Sequence, residues 1–402
     1  MSEKTSWLSA AEAARRLGIK RETLYAYVSR GLVRSAPKGG ATRARLYARD
    51  DIERARRRAE DHRDPKSIAA HALSLGNPVL ESAITLIHGG RLYYRGNDAV
   101  ELSRLRSIEE VASLIWTGQR DAWPAPTTLP KKEDIARTPL PFLARAEVTL
   151  AAAATRDPLA FDLRPEAVPQ CGARIVEMMT RAACGSGAAA RGPMEERLAA
   201  GWKLRRGAAD VLRSAIILCA DHELNVSAFT ARCIASAGGS PYAVVIGGLA
   251  ALEGVRHGGM TSRVESMFES MRRERGGKEA IGVRMREGAQ LEGFGHPLYP
   301  DGDPRASALL DLLERRFPRS AELRFAREVA DAAWSALELR PSLDFALAAI
   351  VRVLELPPRS GLTLFALGRT IGWIGHAIEQ YRSGALIRPR AKYVGTLPVA
   401  AG

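Results

Sequence analysis

The chain has 402 residues, is 46% hydrophobic and 26% charged, and carries a formal net charge of +14. That length suits one large domain or two smaller ones, and the composition excludes a disordered or fibrous chain. No apolar run reaches the roughly 18 residues of a membrane helix, since "YAVVIGGLAALEGV" is broken by glycines and Glu253, and no signal-type apolar core stands at the N-terminus; the expectation is a cytoplasmic protein with no membrane partner.

The front of the chain is basic. Residues 1–60 hold fifteen Lys and Arg against seven Asp and Glu, so a surplus of eight sits in about a seventh of the chain. Such asymmetry points to an anionic partner, most simply nucleic acid. Ser9 with Glu12 three positions later is a capping box that opens a helix. Ala10, Ala13, Ala14 and Leu17 form its apolar face and Gly18 ends it. A second short helix is expected from about Arg21 to Gly31, with the face Leu24, Tyr27 and Val28. "PKGG" reads as a hairpin tip, "TRARLY" as the returning strand, and Asp50 as the cap of a further helix. Two short helices joined at a glycine turn and followed by a hairpin resemble the winged helix-turn-helix of MerR-type and excisionase-like proteins. The resemblance implies duplex DNA as a partner. It places Lys20, Arg21, Thr23 and Tyr25 toward the major groove, and Arg43, Arg45 and Tyr47 toward phosphate or the minor groove. A solvated basic face on a docking or oligomerisation domain is the alternative. Residues 61–77 are charged, then weakly helical, and read as a linker.

From about residue 78 to 402 the pattern is helix after helix. "SIEEVASLIWTG" carries another capping box, Ser107 with Glu110. "SALLDLLERRF", "SLDFALAAIVRVLEL" and "LTLFALGRTIGWIGHAIEQY" are helical by period. "GGRLYYRGND" is the one clear strand-like piece, so the fold class is mainly α. The four cysteines, at 171, 184, 219 and 233, lack CxxC spacing and read as packing residues.

Several segments here are more polar than a core needs. "LCADHELNVSAFTARCIAS" sets Asp221, His222, Glu223 and Asn225 between apolar runs. "LEGVRHGGM" sets His257 before two glycines, where backbone could approach a ligand closely. "GFGHPLYPDGDPRA" supplies His296 and Arg305, "SLDFAL" supplies Asp344, "ALGRTIGW" supplies Arg369 and "ALIRPRAKYVG" supplies Arg388. Singly, each also reads as structure: core histidines, a helix-terminal acid, an arginine paired inside a core. The ordered set "YRG", "ADHExNxS", "HGG", "GFGHxxYxxxDPRA", "DF", "RTxGW" and "IRPRxxYxG" is more specific, and it resembles the citrate synthase family over nearly all of residues 78–402.

That resemblance implies helical large and small domains, the small one at roughly 225–340, and a homodimer with a shared active site. It implies that Asp344 removes a proton beside the acyl-CoA thioester, that His257 stabilises the enolate oxygen, and that His296 polarises the keto group of oxaloacetate. His222, Arg305 and Arg369 would bind the carboxylates, with Arg388 reaching in from the other subunit. No metal or cofactor is implied, since CoA enters as the substrate's thioester. Acetyl-CoA would give citrate; propionyl-CoA giving methylcitrate is the alternative. A transcriptional regulator that senses acyl-CoA or an oxo acid is a further one. The chain departs from the family's pattern at three places: Pro297 follows His296 where arginine is common, "HGGMTSRV" replaces "HGGAN", and Ala346 and Leu347 follow "DF".

Overall fold

The computed structural model describes residues 7–19, 23–24, 27–28, 33–37, 45–52, 80–124, 140–184, 192–273, 276–286, 291–391 and 393–396. They fall into two compact units, one holding the residues up to Glu81 together with those from Pro389 onward, the other Ser82–Arg388.

In the first unit, strands β1 (Trp7–Ser9), β2 (Ser35–Pro37) and β3 (Arg45–Ala48) form an antiparallel sheet in the order β1-β3-β2. Helix α1 (Ala10–Leu17) starts at the expected capping box. Ser9 accepts from the Glu12 N–H, the Glu12 carboxylate accepts from the Ser9 N–H, and Gly18 closes the helix at φ 64°. Ala13, Ala14 and Leu17 are buried with Leu8, Leu24, Val33 and Ile52. Residues 23–24 and 27–28 are helical, and Tyr27 and Val28 pack on the same core. Lys20, Arg21, Tyr25, Gly31, Arg43, the hairpin tip and the linker lie outside the described residues.

Two expectations for this unit change. Tyr47 is only 1% exposed, so its ring cannot touch DNA. It sits on the central strand, opposite both Leu8 and Ser35, and that position turns it into the core. The last helix has already begun by Arg49, so Asp50 lies in its first turn and not at its cap. The neighbouring acid is the structural one. Buried Asp51 accepts from the Arg34 backbone N–H at 2.8 Å and from its Nε at 2.9 Å.

The second unit opens with a meander of β4 (Thr85–His88), β5 (Arg91–Tyr94) and β6 (Asn97–Asp98). Gly89 and Gly90 both have positive φ at the β4–β5 turn, which a tight two-residue hairpin requires. Helices follow: α2 (Ala99–Leu105), α3 (Ile108–Thr117), α4 (Phe142–Ala154), α5 (Val168–Cys184), α6 (Met194–Gly201), α7 (Ala208–Cys219), α8 (Val226–Ser236), α9 (Pro241–Leu252), α10 (Gly259–Arg273), α11 (Gly277–Arg286), α12 (Pro304–Arg316), α13 (Ala321–Leu337), α14 (Leu343–Val353) and α15 (Ser360–Ser383). The Ser107–Glu110 capping box opens α3 as expected. None of the described helices is long and apolar enough to cross a membrane.

Helix α15 is the centre of this unit. Its sequence is apolar on all sides, as a fully surrounded helix must be, and nearly every residue from Ser360 to Ile378 is buried. Two glycines let it press against the end of α7. A Cβ at Gly368 would lie 2.3 Å from the Ile216 carbonyl, and one at Gly372 2.2 Å from the Ala220 carbonyl. The α7 carbonyls exposed by that ending are taken up by side chains. The Tyr94 hydroxyl donates to Ile217 at 3.0 Å, and Arg369 Nε donates to Cys219 at 2.9 Å.

Candidate active site

The site is organised around Asp303. It caps α12, accepting from the Arg305 N–H at 3.0 Å, and Pro304 occupies the first helical position, where no N–H is needed. Arg305 folds back on the same carboxylate through Nε at 2.9 Å and Nη2 at 2.8 Å. Asp303 Oδ2 also accepts from the Leu343 N–H at 3.0 Å, at the start of α14. One buried carboxylate thus sets Arg305 and places Asp344 on the first turn of α14. The guanidinium outweighs burial and holds the Asp303 carboxyl below its ordinary range.

The loop before α12 delivers His296 to the same place. Gly295 N–H donates to the Arg340 carbonyl and Ser342 N–H to the Gly293 carbonyl, both at 2.8 Å, so the loop runs alongside the approach to α14. Gly293 has φ +80°, and a Cβ there would lie 2.8 Å from Val264 Cγ2, so both backbone and space demand glycine.

Two imidazoles meet, and a third is joined to them through the charge of Arg369. The His222 and His296 rings meet edge to face at 5.1 Å, and His222 Nε2 lies 3.0 Å from the Tyr299 hydroxyl. Burial, then the Arg305 and Arg369 charges, hold His222 well below its ordinary pKa. Burial and Arg305 lower His296 as well. Its Nδ1 accepts from the Leu298 N–H at 3.2 Å, so the neutral ring carries its proton on Nε2. His257 is lowered to about 4 by burial and by Arg369. Its Nε2 lies 2.8 Å from Ser227 Oγ, and its ring packs edge-on to Phe365 at 5.9 Å.

Asp344 is partly buried, and burial raises its pKa against the pull of Thr261, whose Oγ1 donates to Oδ1 at 2.6 Å. Arg369 is 1% exposed and stacks over Phe365 at 4.7 Å. With Nε spent on Cys219, its Nη1 is left buried with no hydrogen-bond partner. A buried charged donor without an acceptor is costly, so a position of this kind suits an anionic ligand. Arg305, over the Tyr299 ring at 5.4 Å, supplies a second buried guanidinium. An acid–base group, imidazoles kept neutral and two guanidiniums together suit proton abstraction and carbonyl polarisation on a carboxylate-bearing compound.

The structure thus brings His222, His257, His296, Arg305, Asp344 and Arg369 into one connected cluster. It does not bring Arg388 there: that residue is exposed beyond α15. Gly258 and Gly259 serve packing more than ligand approach, since a Cβ at Gly258 would sit 2.6 Å from the Leu252 carbonyl and 2.7 Å from Leu362. Asp303, Tyr299, Ser227 and Thr261 were not singled out by sequence reasoning. All four lie inside or beside the quoted motifs, but spacing does not say which side chains turn inward. Ala346 and Leu347 are fully buried, so that departure acts on the packing behind Asp344.

The fold is mainly helical, and the cluster joins a carboxylate, imidazoles and two buried guanidiniums in one place. Residues 127–390 match the family model "Citrate synthase, C-terminal domain", and residues 7–59 match "Helix-turn-helix domain". The chain belongs to the citrate synthase family and carries a helix-turn-helix domain in front. Citrate synthase 2 of Bacillus subtilis is 33% identical over 189 residues, 46% of this chain and 51% of that protein. The 2-methylcitrate synthase of Shewanella oneidensis is 31% identical over 191 residues, 47% and 51% of the two chains. The chain spans about half the length of the curated relatives it matches. The crystal structure of citrate synthase from Thermotoga maritima superposes with a TM-score of 0.66 at 26% identity, covering 82% of this chain and 97% of that one.

Proposed function

We propose that the chain condenses an acyl-CoA with oxaloacetate, acetyl-CoA giving citrate or propionyl-CoA giving 2-methylcitrate, in a cytoplasmic homodimer. The observation that carries this reading is the meeting of a partly buried carboxylate with neutral imidazoles and an unpartnered guanidinium nitrogen. Asp344 takes the proton next to the thioester. His257 donates to the enolate oxygen from Nδ1, which requires Nε2 to accept from Ser227. Ser227 donates its one proton to Asn225 Oδ1 at 2.8 Å in the structure, so this scheme requires it to turn that proton to His257 Nε2, also at 2.8 Å, in the active tautomer. His296 Nε2–H polarises the keto oxygen. His222, Arg305 and Arg369 hold the oxo acid, with Arg388 contributed by the second subunit, and the segment of about 225–340 serves as the smaller domain. Water then cleaves the thioester; no metal or prosthetic group enters this scheme.

A thiol-release assay with acetyl-CoA, propionyl-CoA and oxaloacetate tests it. Release should require oxaloacetate and follow one acyl chain or both within about tenfold, since a methylene in an apolar pocket is worth about 1–3 kcal/mol. Release that is absent with both, or independent of oxaloacetate, sinks the reading.

Thr261 stands where the family's "HGGAN" pattern has asparagine, and its hydroxyl stabilises the ionised base. Burial raises the Asp344 pKa, so the acid limb of kcat/KM should lie above the ordinary carboxylate range. Thr261→Val should move that limb to still higher pH, because the charged form loses its donor. A limb that stays in place would show that Thr261 does not tune the base.

The exposed Thr23 and Arg45, with the basic surplus of residues 1–60, favour a second role in binding duplex DNA. Gel-shift titrations with DNA from upstream of the protein's own gene should show binding that weakens steeply with salt. Arg43→Ala with Arg45→Ala should flatten the salt slope by about one or two units. No complex at low salt leaves the domain as a docking or oligomerisation element.

A further inference from the structure

Away from the catalytic cluster, α2, α7 and α12 line a half-open cavity of about 590 Å³, a size typical of small-ligand sites. Four guanidiniums line it: Arg104 from α2, Arg213 from α7, and Arg315 and Arg316 from the end of α12. Asp210 is the single carboxylate in the lining, and it pairs with Arg213 at 3.3 Å and with Arg316. Among the described residues Arg104 and Arg315 make no ion pair or hydrogen bond, and Arg213 Nε is buried without a partner. The floor is polar and buried, formed by Ser103 and Ser214, and Ala308 with Leu312 supplies an apolar wall. Basic residues at the end of α12 also suit that helix's dipole. The dipole does not account for Arg104 or Arg213, which arrive from other helices and face the same space.

We propose that this cavity is a second ligand site, distinct from the catalytic one, that binds a small phosphate-bearing anion. Guanidinium forks match phosphate oxygens in pairs, and four of them against one carboxylate leave a strong positive field in a partly enclosed space. The walls give the site a route to the chemistry. Helix α12 carries Arg305 in its first turn, about 15 Å along the helix from Arg315, and α7 ends at Cys219, the acceptor for Arg369. An anion that clamps α7 to α12 therefore holds the two helices that position both buried guanidiniums of the catalytic cluster.

Calorimetric titration of the full chain with inorganic triphosphate tests the proposal, because the charge on this probe is defined and it carries no base or sugar. The wild type should bind with saturation and with an affinity that falls as salt rises. Arg104→Ala with Arg315→Ala should lose one site per chain, or weaken it at least tenfold, while the melting temperature without ligand stays unchanged. Asp210→Asn should act in the opposite direction and tighten the site, since it removes the competing carboxylate. Triphosphate binding that is absent from the wild type, or equal in all three proteins, overturns the site.

Discussion

Asp344→Asn should leave the fold intact and reduce turnover by about a hundredfold or more, as expected when a general base is removed. The amide is isosteric and can still accept the Thr261 hydroxyl through its oxygen, so α14 should begin as before. It cannot take a proton. Circular dichroism and thermal melting should therefore match the wild type while thiol release collapses. Near-normal release would show that another group is the base. The same variant reports on the second subunit. Mixed with Arg388→Ala after subunit exchange, it should regain part of the activity, because some heterodimers hold one site with both groups intact. A lack of recovery places Arg388 outside the shared site.

Asp303→Asn should be the most damaging single change to stability among the site residues, costing about 3–5 kcal/mol, the usual penalty for breaking a buried ion pair from one side. Arg305 would keep its charge and its burial but lose its counter-ion. The helix starts joined by this carboxylate would also loosen, since Asp303 holds the Leu343 N–H as well as the Arg305 N–H. Denaturant titration gives the stability change, and the KM for the oxo acid gives the effect on Arg305. A loss below about 1 kcal/mol would mean that Arg305 finds another partner.

The sequence made the elements easier to read than the contacts between them. Capping boxes at Ser9 and Ser107 and the all-apolar period of α15 are local signals, and they were realised where expected. The six residues that meet in the candidate cluster stand in ordered motifs of the sequence. Their supports were not legible there. Asp303 lies in the same motif as Arg305, yet its bond to Leu343 joins residues 40 apart. Thr261 reaches Asp344 across 83 positions. Tyr47 was misjudged for a related reason: its face depends on which strand is central, and that is decided by pairing with Leu8 and Ser35, not by β3 alone.

Arg369 divides its nitrogens between two jobs. Nε closes the end of α7, while Nη1 is buried without a hydrogen-bond partner. In the proposed reaction its grip on the oxo acid would therefore be tied to the architecture beneath it. A lysine would bring one ammonium to a place where two separated nitrogens now act, and would have to abandon either the Cys219 carbonyl or the ligand. On that proposal, a change of acid preference at this position would also cost stability, because the same side chain closes α7. Exposed positions of the loop of residues 293–302, such as Pro297, carry less of this load, whereas Gly293, Phe294 and Tyr299 in the same loop are tied to the core.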